Sequence, residues 1–290
     1  MKPAPFAYHR ARDAAGAARL LAELGDDAKI VAGGQSLVPM MNFRLARPGH
    51  LVDIGGLREL DYLRLDSDGI LRVGALTTHH TVEKAPDDVL GPGFRVLREA
   101  MGWVGHLPIR TRGTVGGSIA HGDTTAEWCL LAVLLDAEIT ALGPHGPRVI
   151  PAAEFFHGFY TTALEPDEIL VEIAFPVPAP HAALTEFAER RGDFAIVSAA
   201  VSLDLGPAGE VRGGRVALGG VAPAPVRAPE AEAVLAAGAA VGTEADLFTA
   251  CAHAAAAAAD PPDDANGSAA YRRTLIRTLV QDACEEAMAR

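Results

Sequence analysis

The chain has 290 residues, 49% of them hydrophobic and 21% charged, and a formal net charge of −12. The length favours two domains and the composition supplies a large core, while the acidity argues against nucleic acid or an anionic membrane surface, which require clustered Lys and Arg. Cys129, Cys251 and Cys284 lie far apart in sequence with no CxxC pair, so the chain alone offers no ligand set for an iron–sulfur cluster or a structural zinc and suits a reducing cytoplasm.

In chain order, "MKPAPFAYHR" lacks the apolar run of a secretory signal. "KIVAGG" reads as a strand ending in glycines, and "SLVPMMNFRL" as a helix with Pro39 tolerated in its first turn. "HLVDIGG" is a second short strand, and "DYLRLDSDGILRVGAL" alternates apolar and polar residues on both sides of a "DSDG" turn, a hairpin pattern. "GFRVLREAMGWV" and "TTAEWCLLAVLL" predict helices, the second with Thr124 or Thr125 as N-cap. The run "WCLLAVLLDAEI" is broken by Asp136 and is too short to span a bilayer, so it reads as a buried helix entering a strand.

"AEITAL", "PRVIPAAEFF" and "EILVEIAFP" complete an α+β pattern. The proline-dense "FPVPAPHAAL" then marks a domain boundary. Beyond it, "ALTEFAE", "AIVSAAVSLDL" and "RVALGGV" predict three strands, and "EADLFTACAHAAAAAA" and "AAYRRTLIRTLVQDACEEAMA" two helices. Leu275, Ile276, Leu279, Val280 and Ala283 form one stripe of the last helix, which predicts packing on a sheet.

Two segments repeat one arrangement: "VAGGQSL" at 31–37 and "TVGGSIAHG" at 114–122 each place paired glycines and a short polar residue after an apolar run. Such a turn permits φ > 0 and bares backbone N–H groups that converge on an anion, and a following helix adds its first N–H groups. Two such turns could clamp a pyrophosphate from two sides without Lys or Arg, in keeping with the acidic composition. A lone GG is more often a tight turn, and neither segment is a GxGxxG fingerprint or a GxxxxGK[ST] P-loop, so the weight rests on the pair.

"VAGGQSLVPMMNFRLARPGHLVDIGGL" and "RTRGTVGGSIAHGDTTAEWCLLAVLLDAEI" resemble the two signature segments of the FAD-binding medium subunit of molybdenum hydroxylases, the carbon monoxide dehydrogenase and xanthine dehydrogenase family. "EPDEILVEIAFP", "TEFAERRGDFAIVSAAV" and "YRRTLIRTLV" are similar to that family's inter-domain crossing, the opening of its C-terminal domain and its last helix, so the likeness spans nearly the whole chain. The resemblance implies an α+β fold: a PCMH (vanillyl-alcohol-oxidase) type FAD-binding domain over residues 1–177, in subdomains of roughly 1–56 and 57–177, then a smaller α/β domain over 178–290 with a three-stranded sheet and helices.

Carried over residue by residue, the resemblance puts Val31, Ala32, Gly33, Gly34, Gln35, Ser36 and Leu37 on the pyrophosphate. Thr114, Val115, Gly116, Gly117 and Ser118 then press on the cofactor from the other side. Glu127, thirteen residues after Thr114, would meet the ribityl hydroxyls, its competing role being an acid that offsets a helix dipole. Val104, Ile169 and Leu170 match apolar contacts in relatives, though they would equally serve as core; Asp123 and His121 are further candidates in the same loop. The sequence departs from the family at Ser118, where Asn is common, at Thr124, where Pro is common, and at Glu186, aligned with a Lys near the flavin. Arg190, Arg191 and Asp193 follow Glu186 and also read as a surface ion-pair group.

His79-His80 invites a metal reading, but neighbouring side chains diverge and no third ligand is suitably spaced, so no metal site is expected. His106 has no acid or nucleophile beside it in sequence, and no HExxH, nucleophile elbow or paired-carboxylate pattern supports hydrolysis. The expectation is a cytoplasmic FAD subunit in which the flavin, not a protein base, carries the redox chemistry. The resemblance also implies a small [2Fe–2S] subunit and a large molybdopterin subunit as partners, in a dimer of heterotrimers. A stand-alone flavoenzyme would instead need a proton-transfer residue, for which His106, His121 and Glu186 are the candidates; a scaffold without flavin is the third reading, opposed by retention of all four glycines.

Overall fold

The computed structural model describes residues 1–290 apart from the side chain of Ala239. The chain opens with β1 (Ala7–Arg10), α1 (Ala14–Leu24), β2 (Ala28–Val31), α2 (Leu37–Asn42) and β3 (His50–Asp53). β3 lies between β1 and β2, parallel to both, as the crossover helices require. Asp13 caps α1 by accepting from the Gly16 N–H at 2.5 Å, and Ala17, Ala18 and Leu21 bury its inner face.

A hairpin follows, β4 (Leu63–Leu65) and β5 (Leu71–Gly74), paired antiparallel around the "DSDG" turn. Five short helices and one longer one come next: α3 (His79–Glu83), α4 (Asp87–Leu90), α5 (Arg95–Ala100), α6 (Leu107–Arg110), α7 (Val115–His121) and α8 (Glu127–Leu134). The strands β6 (Glu138–Gly143), β7 (Gly146–Pro151), β8 (Phe156–Gly158), β9 (Thr161–Thr162) and β10 (Ile169–Phe175) close this part. β10 returns to the centre of a five-stranded antiparallel sheet ordered β4-β5-β10-β6-β7. From Trp128 to Leu134 every residue of α8 is buried, so this helix is a core element on all sides. Its N-cap is Ala126, with no capping side chain. The Thr124 or Thr125 cap expected from sequence is absent because both hydroxyls have other partners: Thr125 donates to Asp123 Oδ1 at 2.7 Å and Thr124 to the Ala222 carbonyl at 2.9 Å.

The rest of the chain forms β11 (Ala182–Phe187), β12 (Val197–Leu205), β13 (Val211–Gly219), β14 (Val226–Arg227), α9 (Pro229–Ala237), α10 (Glu244–Ala258) and α11 (Ala269–Met288). The sheet has four antiparallel strands where three were expected; the addition is the two-residue β14, too short to leave a periodic pattern. Alternation divides the sheet's faces: Ala183, Ala199 and Val201 pack with α10 and α11, whereas Leu184, Ala200 and Ala217 join the core around α8. Ile276, Leu279, Val280 and Ala283 of α11 are buried against this sheet, as the stripe predicted. The second sheet face thus closes the main core. Among the described residues no helix is long and apolar enough to cross a membrane.

Candidate functional site

The two glycine segments meet. A Cβ on Gly33 would lie 2.0 Å from the Arg112 carbonyl oxygen, and the Gly113 Cα is 3.0 Å from the same point. The first turn is therefore pressed on the residues that lead into the second. Gly34 sits at φ 72°, the left-handed region that glycine adopts without strain. Gln35 folds back to donate to the Gly33 carbonyl at 3.1 Å, and α2 starts at Leu37 with no capping side chain from Ser36. Among the described residues, no protein acceptor pairs with the N–H groups of Gly33, Gly34, Gln35 and Ser36. Four successive donors on a left-handed turn form an anion-binding concavity.

The second segment is built differently from the expected bare turn. Gly116 and Gly117 lie in the first turn of α7, capped by Thr114, whose hydroxyl accepts from the Gly117 N–H at 3.1 Å. The N–H groups of Val115, Gly116 and Ser118 donate to the carbonyls of Thr77, Ala75 and Thr114 at 2.9, 3.0 and 3.0 Å. These donors are consumed in fixing the loop. The glycines serve close approach: a Cβ at Gly116 would be 2.7 Å from both Cα and O of Ala75, and one at Gly117 2.7 Å from Thr114 Oγ1. Thr114, Val115 and Gly116 are buried, and Gly117 and the half-buried Ser118 form the open edge.

Behind this loop, Trp128 Nε1 donates to Nδ1 of the buried His79 at 3.0 Å, and the His79 ring abuts Gly113. Burial, helped by the charge of Arg110, lowers the His79 pKa to about 4, so the ring is a neutral strut. His80 instead pairs with Glu83 at 3.0 Å. The adjacent histidines thus have separate partners, and among the described residues no three His, Cys, Asp or Glu side chains are grouped to hold a metal ion. Arg110, which sequence reasoning missed, binds Glu83 through Nε and Nη2 at 3.1 and 3.2 Å and donates to the Val104 and Gly105 carbonyls at 3.1 Å each. It fixes the turn that carries Val104, whose side chain is buried in the main core.

Asp123 accepts from the backbone N–H and hydroxyl of Thr125 at 2.9 and 2.7 Å, and borders a cleft of about 410 Å³ whose walls include Tyr160, Glu189, Asp193 and Phe194. Glu127 is the first residue of α8. Burial, reinforced by Asp123, raises the Glu127 carboxyl to about 7. His121 is lowered by burial and lies tilted on the Tyr160 ring, 4.8 Å between centroids. Glu186 enters from β11 on the other side of the seam, only 8% exposed, and burial together with Glu127 raises it to about 8. Ile169 and Leu170 lie elsewhere: the first is buried in the core of the N-terminal sheet, the second in the main core.

The family model described as "FAD binding domain in molybdopterin dehydrogenase" matches residues 4–178, and that for the "CO dehydrogenase flavoprotein C-terminal domain" matches 182–287. The chain belongs to this family of FAD-binding flavoproteins. It is 40% identical to the 6-hydroxypseudooxynicotine dehydrogenase complex subunit alpha of Paenarthrobacter nicotinovorans, over 100% of this chain and 97% of that protein. It is 37% identical to the carbon monoxide dehydrogenase medium chain of Afipia carboxidovorans, covering 100% of this chain and 99% of the other. Among solved structures, quinoline 2-oxidoreductase from Pseudomonas putida superposes with a TM-score of 0.92 at 34% identity, over 100% of this chain and 99% of that one. Carbon monoxide dehydrogenase from Hydrogenophaga pseudoflava does so with 0.91 at 36%, with the same two coverages.

FAD is the family's cofactor, and the residues present fit it. The free N–H donors of Gly33–Ser36 suit a pyrophosphate, and a side chain at position 33 would close the cradle. Among the described residues no side chain donates to the acceptor oxygens of Glu127, a match for the hydroxyls of a ribityl chain.

Proposed function

We propose that this chain is the FAD-binding electron-transfer subunit of a heteromeric molybdenum hydroxylase. A large molybdopterin subunit and a small [2Fe–2S] subunit complete it, in a dimer of heterotrimers in the cytoplasm. The observation that carries this reading is the unpaired donor run at Gly33–Ser36, seated on the second glycine segment. When bound, FAD supplies the redox chemistry, accepting electrons from the iron–sulfur partner and passing them to an external acceptor.

The chain's own residues bind and orient. Val31–Leu37 receive the pyrophosphate, and Gly117 and Ser118 present the open edge of the opposite wall. Glu127 accepts from the ribityl chain, and Asp123 and Glu186 border the same region. Thr114, Val115, Gly116 and Val104 shape it from buried positions, through the cap on α7 and the Arg110 clamp. Ile169 and Leu170 support β10 from the cores; a direct cofactor role for them has no support in their burial. The FAD-binding domain extends over 1–177, divided near residue 56, with the smaller domain over 178–290.

Relatives matched over their whole length are themselves named as subunits or medium chains, which favours the heteromeric reading over a stand-alone enzyme. The proton-transfer candidates of the stand-alone reading have separate surroundings: His106 abuts Gly192, His121 lies on Tyr160, and Glu186 is buried on β11 near Trp103 and Arg191. The test is to purify the full chain with whatever co-purifies. A cysteine-rich small chain, a large chain and flavin released on denaturation are expected. Protein without flavin absorption, or a homo-oligomer that turns over a substrate unaided, overturns the reading.

A further inference from the structure

The helix that leaves the first glycine segment ends in a turn that holds large apolar side chains in water. Phe43 is 65% exposed and Leu45 77%, and Val38, on α2 itself, is 43% exposed. Single exposed apolar residues are ordinary, but this group sits on a turn that is built to hold it. Met41 and Pro48 are buried on either side of the turn. The Phe43 N–H donates to the Pro39 carbonyl at 3.0 Å, Arg44 to Met41 at 3.0 Å and Leu45 to Met40 at 2.9 Å. Between the two apolar residues, Arg44 has φ 60°, the left-handed region where glycine would be unstrained. Such strain persists only where the surroundings fix it, and it concentrates at functional positions. Arg44 and Arg47 are exposed, and among the described residues neither pairs with a carboxylate; Arg47 Nε donates to the Arg44 carbonyl at 3.0 Å. Carboxylates are in excess in this chain, and Arg72, Arg148 and Arg227 each hold at least one. The patch adjoins the cofactor cradle, since a Cβ on Gly34 would lie 3.1 Å from Val38 Cγ2.

We propose that this turn is the docking point for the small iron–sulfur chain, which receives Phe43 and Leu45 in an apolar hollow rimmed by Asp and Glu side chains. The inference rests on the heteromeric FAD reading and names the face on which that complex assembles. Charge selects the occupant. Two arginines without acids beside an apolar pair call for a partner surface of opposite sign. A second copy of this chain meeting the same patch across a two-fold axis would set Arg44 and Arg47 against themselves. An anionic lipid surface would attract the turn but repel a chain whose net charge is −12. A protein with a local acidic rim satisfies the arginines without that penalty, and apolar anchors inside a polar rim are the usual anatomy of an interface. Position selects it further: an electron donor has to seat beside the cofactor, and α2 runs from the donors at Gly33–Ser36 straight into this turn. The turn is ordered before it binds, so docking costs it little conformational entropy.

The test uses the tagged full chain, produced together with the chains that co-purify with it. Phe43→Ser with Leu45→Ser lowers affinity for the small chain roughly thirtyfold or more, the scale of losing an aromatic anchor from an interface. Both side chains are exposed, so thermal unfolding of the isolated variant stays at the wild-type value and its FAD affinity within about twofold. Arg44→Glu with Arg47→Glu also weakens docking, and it reverses the salt response: wild-type association slows as salt rises, whereas the reversed variant is helped by screening. Val149→Ser, at another exposed apolar residue on β7, keeps the small chain. Small chain retained at wild-type affinity by both double variants overturns the proposal and leaves the heteromeric reading standing. Loss of FAD affinity in the isolated Phe43/Leu45 variant assigns the turn to the cofactor instead and also overturns it. So does self-association of the isolated wild type, or its binding to phosphatidylglycerol vesicles, when the same variant abolishes it. If the wild type brings down no second chain, the heteromeric reading has itself failed and the docking proposal falls with it.

Discussion

Gly33→Ala tests the central geometry with one methyl group. Its Cβ would lie 2.0 Å from the Arg112 carbonyl oxygen and 2.7 Å from the carbonyl carbon, against an ordinary contact of 3.4 Å, and both obstacles are backbone. The turn must retreat by about 1.4 Å, or Arg112–Gly113 must yield with it, because backbone does not move aside like a side-chain tip. Overpacking of this kind costs about 1–3 kcal/mol of stability. A retreat of that size also takes the Gly33–Ser36 donors beyond the hydrogen-bond range of about 2.7–3.2 Å from a fixed phosphate oxygen. Hydrogen bonds to a charged group are each worth about 1.5–3 kcal/mol, so losing two weakens FAD binding by about 3–6 kcal/mol, or roughly 10²–10⁴-fold. Gly25→Ala is the control: nothing lies within 4 Å of its Cβ, so although Gly25, unlike Gly33, sits at a positive φ of 67°, the change brings only local backbone strain of about 1–3 kcal/mol. FAD titration by fluorescence quenching, with thermal unfolding of the cofactor-free chain, separates the two. If Gly33→Ala binds FAD within threefold of wild type, the turn is not pressed on Arg112 in the way described.

Two further outcomes follow from buried polar partners. His79→Phe leaves the Trp128 indole N–H unpaired in the core and lowers stability by about 1–3 kcal/mol at pH 7, read by denaturant unfolding. The His79 pKa is depressed from 6.5 to about 4, so its stabilisation is present above pH 6.5 and is lost as the pH falls towards 4; the Phe variant loses that component of the acid dependence, and an unchanged acid slope would refute the buried neutral imidazole. Arg272→Met orphans the Ile196 and Gly220 carbonyls and the Asp264 carboxylate it grips at 2.7 and 2.8 Å, costing about 3–5 kcal/mol. Hydrogen exchange should then rise first at the ends of β12 and β13, and uniform loosening of the whole chain would argue against a local clamp.

Much of the fold was legible because its signals are local. The "DSDG" hairpin, the strand before Gly33 and the α11 stripe each follow from a turn residue or a period within one segment. The two glycine segments could be singled out for the same reason. What escaped was long-range. Thr124 looks like an N-cap, yet its hydroxyl serves the Ala222 carbonyl, 98 residues away. Arg110 carries no motif signal of its own, because its task is defined by carbonyls that only the folded turn brings to it. Ile169 and Leu170 alternate faces of β10, and only the packed structure shows that each face is already covered by a core. Glu186 was aligned near the cofactor by resemblance, but its pairing with Ser198 depends on the register between β11 and β12.

The similarity of the two glycine segments hides a division of labour. Both spend a side chain's worth of space to let backbone approach backbone, but only one keeps its donors. In the second segment the N–H groups of Val115–Ser118 all have acceptors within the protein, and Thr114, Val115 and Gly116 are buried. A segment so bound cannot reorganise around an anion, and that rigidity makes it a suitable wall. The first segment has the opposite character: a short α2 without a capping side chain, a left-handed glycine and four unpaired N–H groups. Left alone, such a loop would lose its arrangement to water and chain entropy. The contact of Gly33 with Arg112 and Gly113 holds it in place, and His79 and Trp128 hold Gly113 from behind. Preorganisation of the free donors is thus inherited from the segment whose donors are bound, which explains why a pair of turns does what neither could do singly.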